Sequence, residues 1–367
     1  MGDGLTLGVE EEFFVVDAVT RELVTGAAQI LDVVGGPSAG YPSYADELRL
    51  SMIESRTSAC LTLGQLRAEL CTLRRGLVQA AAMTGHGIVA AGSQPLADWR
   101  TQLFNPGARY QRVAEFFAQM AYEHVICGCH VHVGVDDRDV AVQVMNRVRP
   151  WLPVLLVLSS SSPFWMGEDT GFTSYRSVVW ERWPMAGLPP AFSSFAEYTR
   201  SVASLVETEL LADAGQVFWD VRPGTTHRTL EFRIADSCTT VDETVVQAGL
   251  CRALVRTCLA DLDEKPGAEI RPELLRAAKW RASRFGFGDR CLDPFSGTLQ
   301  PATTLVDRLL AHVRGPLEDL GDWDEVTMLV EKMKRTGSSA QRQRRTFMAT
   351  NRLTDVVDLL VAETALA

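Results

Sequence analysis

Residues 127–135, CGCHVHVGV, place two of the chain's six histidines two positions apart in a stretch that otherwise reads as a buried strand. Side chains two apart on a strand share a face. His130 and His132 therefore point together, between Gly128 and Gly134, while Cys127, Cys129, Val131, Val133 and Val135 point the other way. The N-terminal stretch 5–16 repeats this habit. Gly8, Glu10 and Glu12 lie opposite Leu5, Leu7, Val9, Phe13 and Val15, a row broken by Glu11. In RTLEFRIAD (228–236), Thr229, Glu231 and Arg233 oppose Leu230, Phe232 and Ile234.

Each pattern alone has an ordinary explanation. Glutamates line the wet face of many antiparallel sheets. An HxH pair fits a satisfied core pair or a zinc site equally well. Glu231 and Arg233 could simply pair across strands. All three together imply more, because carboxylates crowded on one face repel unless a cation neutralises them. Oxygen donors with one imidazole suit Mg²⁺ or Mn²⁺ better than zinc. ADELRLSMIESRTS (45–58) adds Glu47 and Glu54. Their odd separation would send them to opposite faces of one regular strand, so both reach the site only if a turn or bulge intervenes.

Elements of several kinds must position these groups. Helical periodicity is expected over 62–85, 109–123, 138–160 (interrupted at Pro150 and Pro153) and 194–213. Strands are expected at 87–95 and 216–223, and helices follow one another from about 241 to the end. Residues 163–190, rich in Gly, Pro, Trp and Arg, read as a long functional loop that could close over the site. The organisation expected is one catalytic domain, sheet-forming over about 1–240 and helical over about 241–367. Its class is α+β.

A formal charge of −10 on 367 residues argues against a nucleic-acid binder. No apolar run reaches membrane-spanning length, and MGDGLTLGVEEEF has no secretory character, so no membrane partner and a cytoplasmic location are expected. Eight cysteines without a CxxC pair read as free thiols.

GVEEEF, CGCHVHVGV, the SPFW, DTG, SYRS and RWP segments of the long loop, DVRP and LEFR, WRASRFG (280–286) and GSSAQRQRRTF (337–347) together resemble the type 2 glutamate–cysteine ligases. These are also called YbdK-type carboxylate–amine ligases. The resemblance implies a glutamine synthetase-like antiparallel sheet, with metal and ATP on its concave face and helices behind it. It implies an ATP-dependent ligase that makes an amide through an acyl phosphate, using Mg²⁺ (or Mn²⁺). Glu10, His130 and Glu231 would hold one ion; Glu12 and Glu54, with Glu47, would hold the second, Glu47 also facing the substrate. His132, Arg222 and Arg233 would meet ATP phosphates and act in catalysis, and Arg176 would clamp the substrate carboxylate. Small-molecule carboxylate and amine partners and a homodimer or higher even assembly are implied.

The chain departs from the family pattern at Cys129, Lys279 and Gln341. Arg342, Arg344 and Arg345 read as a solvated helical face. A metal-dependent amide hydrolase and a non-catalytic nucleotide-binding homologue are the competing functions. Substituting Glu12 or Glu231 by glutamine is expected to leave the fold intact, by relieving like-charge repulsion.

Overall fold

The computed structural model describes residues 5–35, 43–262 and 270–366. Its main sheet is built from β1 (Leu7–Asp17), β2 (Ser43–Asp46), β3 (Met52–Arg56), β4 (His86–Val89) and β5 (Gly128–Gly134). A two-residue ribbon, β6 (Phe164–Trp165) and β7 (Glu168–Asp169), follows, and β8 (Val221–Pro223) and β9 (Thr229–Asp236) complete the sheet. A second ribbon, β10 (Arg290–Asp293) and β11 (Thr298–Pro301), lies among the C-terminal helices. The sheet runs β2-β3-β1-β5-β9-β8, with β4 on the far half of β1, and every pairing is antiparallel. The class is α+β.

The alternation read from sequence decides which face is buried. Leu7, Val9, Cys129, Val131, Val133, Leu230, Phe232 and Ile234 join one apolar cluster with the helices Arg138–Val148, Leu152–Ser159 and Val241–Ala260. Phe13 and Val15 pack instead on Leu77, Ala80 and Ala81 of the helix Leu63–Met83. Burying each such large apolar side chain contributes roughly 1.5–3 kcal/mol. Both long helices start at capping boxes legible in the sequence, Thr62 with Gln65 and Thr240 with Glu243.

Glu11, which breaks the apolar row of β1, is fully buried. Arg74 of the helix Leu63–Met83 meets it with two bonds, 3.0 Å from Nε and 2.6 Å from a terminal nitrogen. Thr244 donates to the same carboxylate at 2.6 Å. The remaining Arg74 donors reach the Thr239 and Cys238 carbonyls, each at 2.7 Å. This pair bolts the helix to the sheet beneath the site.

Several elements differ from the sequence expectation. The helix expected over 109–123 divides into Ala108–Phe117 and Gln119–Tyr122, because Ala118 takes a positive φ of 46°. The run 138–160 stays helical but tightens to a 3-10 turn at Arg149–Trp151, around Pro150. The next helix stops at Glu207, Ala214–Gln216 form a 3-10 turn, and the strand expected over 216–223 is confined to Val221–Pro223. The C-terminal third contains the β10–β11 ribbon. The loop 163–190 carries β6, β7 and the helix Tyr175–Trp180. Among the described residues no helix is long and apolar enough to cross a membrane.

Removing one member of the buried pair leaves an uncompensated charge, so Arg74→Leu should cost about 3–5 kcal/mol in denaturant unfolding. Adding Glu11→Leu to that variant should recover much of the loss. A double variant no more stable than the single one would contradict this account of the pair.

Candidate active site

The sheet register assembles the site. Glu10 lies across from His130, Gly8 across from His132, Glu12 across from Glu54, and Glu231 across from both His132 and Arg222. Neighbours on one face of paired strands come within side-chain reach. Ligand atoms of Glu10, His130 and Glu231 all lie within 4.8 Å of one another, as do those of Glu12, Glu47 and Glu54. Glu12 and Glu10 share a face of β1, so the two triplets stand side by side. Glu47 joins because the chain turns between β2 and β3; its Oε2 accepts from the Leu48 amide at 3.0 Å.

A bulge refines this geometry. Between Cys129 and Val131 on β5, the β9 register slips, and Arg233 donates its amide to the Asp220 carbonyl at 2.8 Å. Arg176 takes up the carbonyls of Arg233 and Ile234, each at 3.2 Å. Arg176 is buried and lies outside the cavity lining, so the substrate clamp expected of it is corrected: its guanidinium supports the bulge from behind. A Cβ at Gly128 would run into the Arg176 guanidinium and push it off the two carbonyls it holds. The Gly128 amide in turn donates to Glu12 at 2.6 Å.

Arg222 lines the cavity, but its donors are engaged. It bonds Glu231 at 2.8 Å and the Gly215 and Val217 carbonyls at 2.9 and 2.6 Å. The expected free fork for phosphate is therefore spent on holding Glu231. Arg233 also pairs with Glu231 and approaches His130 Nδ1 at 3.4 Å.

Electrostatics separate the two triplets. Burial alone would raise the Glu231 pKa, but Arg233 and Arg222 outweigh it and hold the carboxylate ionised. Burial would likewise raise Glu10, yet the neighbouring His130 and His132 imidazoles, 3.3 and 3.7 Å away, hold it well below the usual range. His130 falls to about 4 through burial and Arg233, leaving a neutral imidazole fit for a metal. At the other triplet, burial first and like charge second act together. Glu47 is pushed to about 7 by burial and Glu12, and Glu54 rises well above its ordinary value through burial, Glu10 and Glu47. Glu12 also rises to about 7, by burial that Arg176 only partly offsets. A divalent cation would relieve this crowding. The donor set fits Mg²⁺ or Mn²⁺, being carboxylate-rich with one imidazole. The buried Nε2 of His132 faces Glu10 Oε1 at 3.7 Å, longer than a hydrogen bond, and makes no closer polar contact with a described residue.

These groups line one cavity of about 360 Å³, whose lining also includes Trp180, Trp183 and Phe218. The expected lid therefore contributes a wall, through Trp180 and Trp183, which are nearly buried. Two further lining residues, Arg109 and His124, were missed because they sit outside the alternating strands. The sequence marks them only as a histidine just ahead of the CGCHVHVGV stretch and an arginine just after NPG. Lys279 is buried against Asp220 and Glu181, at 2.6 and 2.9 Å, and Gln341 closes a capping box with Ser338. Arg342 and Arg344 bond Glu243, Glu363 and Asp169 instead of reaching the cavity.

A model of the family described as glutamate–cysteine ligase family 2 matches residues 6–358. The chain belongs to that family. A Mycolicibacterium smegmatis relative, "Putative glutamate–cysteine ligase 2-2", is 42% identical over 362 residues, covering 98% of this chain and 90% of its own length. A Frankia alni relative, "Putative glutamate–cysteine ligase 2-3", is also 42% identical over 98% of this chain, but the chain spans only 42% of that protein's length. Among solved structures, a Francisella tularensis glutamate–cysteine ligase in complex with AMP superposes with a TM-score of 0.75. It is 12% identical and is matched over 99% of this chain and 88% of its own. A bifunctional glutathione synthetase from Pasteurella multocida gives 0.69 at 16% identity, over 99% of this chain and 52% of its own. At such identities these two likenesses speak for the fold.

In this glutamate–cysteine ligase family member, raised carboxyl pKa values mean that the folded chain binds protons more tightly than the unfolded one. Their contribution to stability is present at low pH and lost as pH rises from the ordinary 4.5 through about 7. A divalent cation needs these groups deprotonated. Mg²⁺ should therefore raise the melting temperature more at about pH 8 than at about pH 5, and Glu54→Gln should blunt that difference. Thermal melts with and without Mg²⁺ check this; an equal Mg²⁺ effect at both pH values would contradict it.

Proposed function

We propose that this chain is an ATP-dependent carboxylate–amine ligase of the glutamate–cysteine ligase kind, acting as one catalytic unit. The observation that carries the reading is the pair of triplets, Glu10–His130–Glu231 and Glu12–Glu47–Glu54, side by side within one cavity. Family membership supports the same reaction class.

In this reading the first triplet holds one Mg²⁺ (or Mn²⁺) and the second holds another. Bound there, the ions supply positive charge against the spreading negative charge of a transferred phosphoryl group. The substrate carboxylate oxygen bonds to the γ-phosphorus of ATP, and the bond to the ADP oxygen breaks. The amine nitrogen then attacks the carbon of that acyl phosphate, the bond from this carbon to the phosphate oxygen breaks, the nitrogen's proton leaves with phosphate, and an amide and ADP remain. The protein's part is placement and charge. Arg222 and Arg233 keep Glu231 ionised and oriented. His132, whose Nδ1 lies 3.1 Å from Thr229 Oγ1 and whose Nε2 faces Glu10 at 3.7 Å, stands beside the first triplet, where it would meet a phosphate oxygen. The tryptophan wall limits water's access to the acyl phosphate.

Incubation with ATP, Mg²⁺, hydroxylamine and a panel of amino-acid carboxylates should yield ADP and a hydroxamate with at least one of them. No ADP with any carboxylate would overturn the proposal. Glu12→Gln should cut kcat/KM at least about a hundredfold while the protein stays folded. Glu231→Gln should also lose stability, contrary to the sequence expectation, because it strips Arg222 and Arg233 of their shared counter-charge.

A further inference from the structure

A second cavity, of about 870 Å³, shares no lining residue with the one that holds the acidic triplets. The two lie on neighbouring stretches of chain, Trp180 lining the first and Glu181 the second. Their charges are opposite. Among the described residues, the charged lining of the second is three arginines, Arg147, Arg149 and Arg276, and one carboxylate, Glu181. Glu181 is already paired with the Lys279 ammonium at 2.9 Å. On a chain of formal charge −10, a cavity so lined draws anions against the global sign.

Most of its other polar groups serve the wall. Gln143 and Asn146 donate to the Ser193 and Phe192 carbonyls, at 2.8 and 2.7 Å, and Arg147 donates to the Leu262 carbonyl at 3.4 Å. Arg149 differs. Its Nη1 donates to the Pro189 carbonyl at 3.1 Å, which seats the guanidinium on the Leu188–Pro190 side of the cavity. Its Nε–H is buried and finds no partner among the described residues. No described carboxylate pairs with Arg149, and burial lowers its pKa from the usual arginine value. A half-buried cation held without a counter-ion is unfavourable, and an oxyanion against it relieves that cost. Leu188, Pro189, Pro190 and Leu275 supply apolar surface around it.

We propose that this cavity is a second small-molecule site, taking an organic anion whose carboxylate or phosphate meets Arg149 while its apolar part lies along Leu188–Pro190. The volume suits a body of many heavy atoms better than a bare ion. Oxygens of either group accept charge-assisted bonds from a guanidinium. Arg147 and Arg276 need not touch the ligand; their charge keeps the potential around it positive.

Calorimetric titration of the full chain with benzoate, phenyl phosphate, inorganic phosphate and neutral benzamide tests the site. Benzoate, phenyl phosphate or both should bind at least about tenfold more tightly than benzamide, the worth of one charge-assisted bond, and more tightly than inorganic phosphate. Which of the two binds tells whether the site takes a carboxylate or a phosphate. Arg149→Gln should erase the advantage over benzamide, and Arg149→Lys should keep only part of it, since an ammonium has no fork. Glu12→Gln, in the other cavity, should change nothing. Arg276→Gln, at an exposed position, should weaken the anion about two- to fivefold through the lost charge. Anions that bind no better than benzamide would overturn the inference, as would inorganic phosphate that binds as tightly as the organic probes. So would an advantage untouched by Arg149→Gln or, should that variant fail to fold, by Arg276→Gln.

Discussion

Five carboxylates and one imidazole share one face of a sheet, in two triplets whose ligand atoms are each within 4.8 Å of one another. Like charges at that spacing, out of bulk water, repel strongly. The protein meets this cost in two ways. At Glu231 and Glu10 it supplies positive neighbours, and the carboxylates stay ionised. At Glu12, Glu47 and Glu54 the positive neighbours, Arg176 on Glu12 and Arg56 paired with Glu54, do not offset burial and mutual repulsion, and the carboxyls are pushed up toward neutrality. A divalent cation would meet that charge, and the rest of the architecture holds the crowd in place.

Most of that holding is done from the opposite face of the sheet. The alternation of β1, β5 and β9 sends their apolar side chains into the helical layer, so the acidic face cannot roll away without exposing the core. The fully buried Glu11–Arg74 pair fixes one helix beneath β1. Arg176 braces the bulge that keeps Glu231 and Arg233 beside His130. Its field also reaches Glu12, so a residue outside the cavity still sets charge within it.

The central face was legible because a strand has a period of two. His130 and His132, Glu10 and Glu12, and Glu231 and Arg233 could each be placed on one side by counting. Glu47 and Glu54 were legible only as needing a turn between them, which the Leu48–Ser51 segment provides. The bulge in β9 carries no glycine or other local sign, so the position of Arg176 behind it could not be read. Ala118 was illegible for a related reason: alanine favours helix, and only tertiary packing can impose its positive φ. Glu11 read as an interruption because its partner, Arg74, is 63 residues away. Arg109 and His124 follow no period at all. Their meaning comes from the groups that surround them in space.

The most direct test is anomalous diffraction from crystals grown with Mn²⁺ and a non-hydrolysable ATP analogue. Two manganese peaks should appear, one among Glu10, His130 and Glu231 and the other among Glu12, Glu47 and Glu54. Fully occupied crystals with manganese elsewhere, or at neither triplet, would contradict the account.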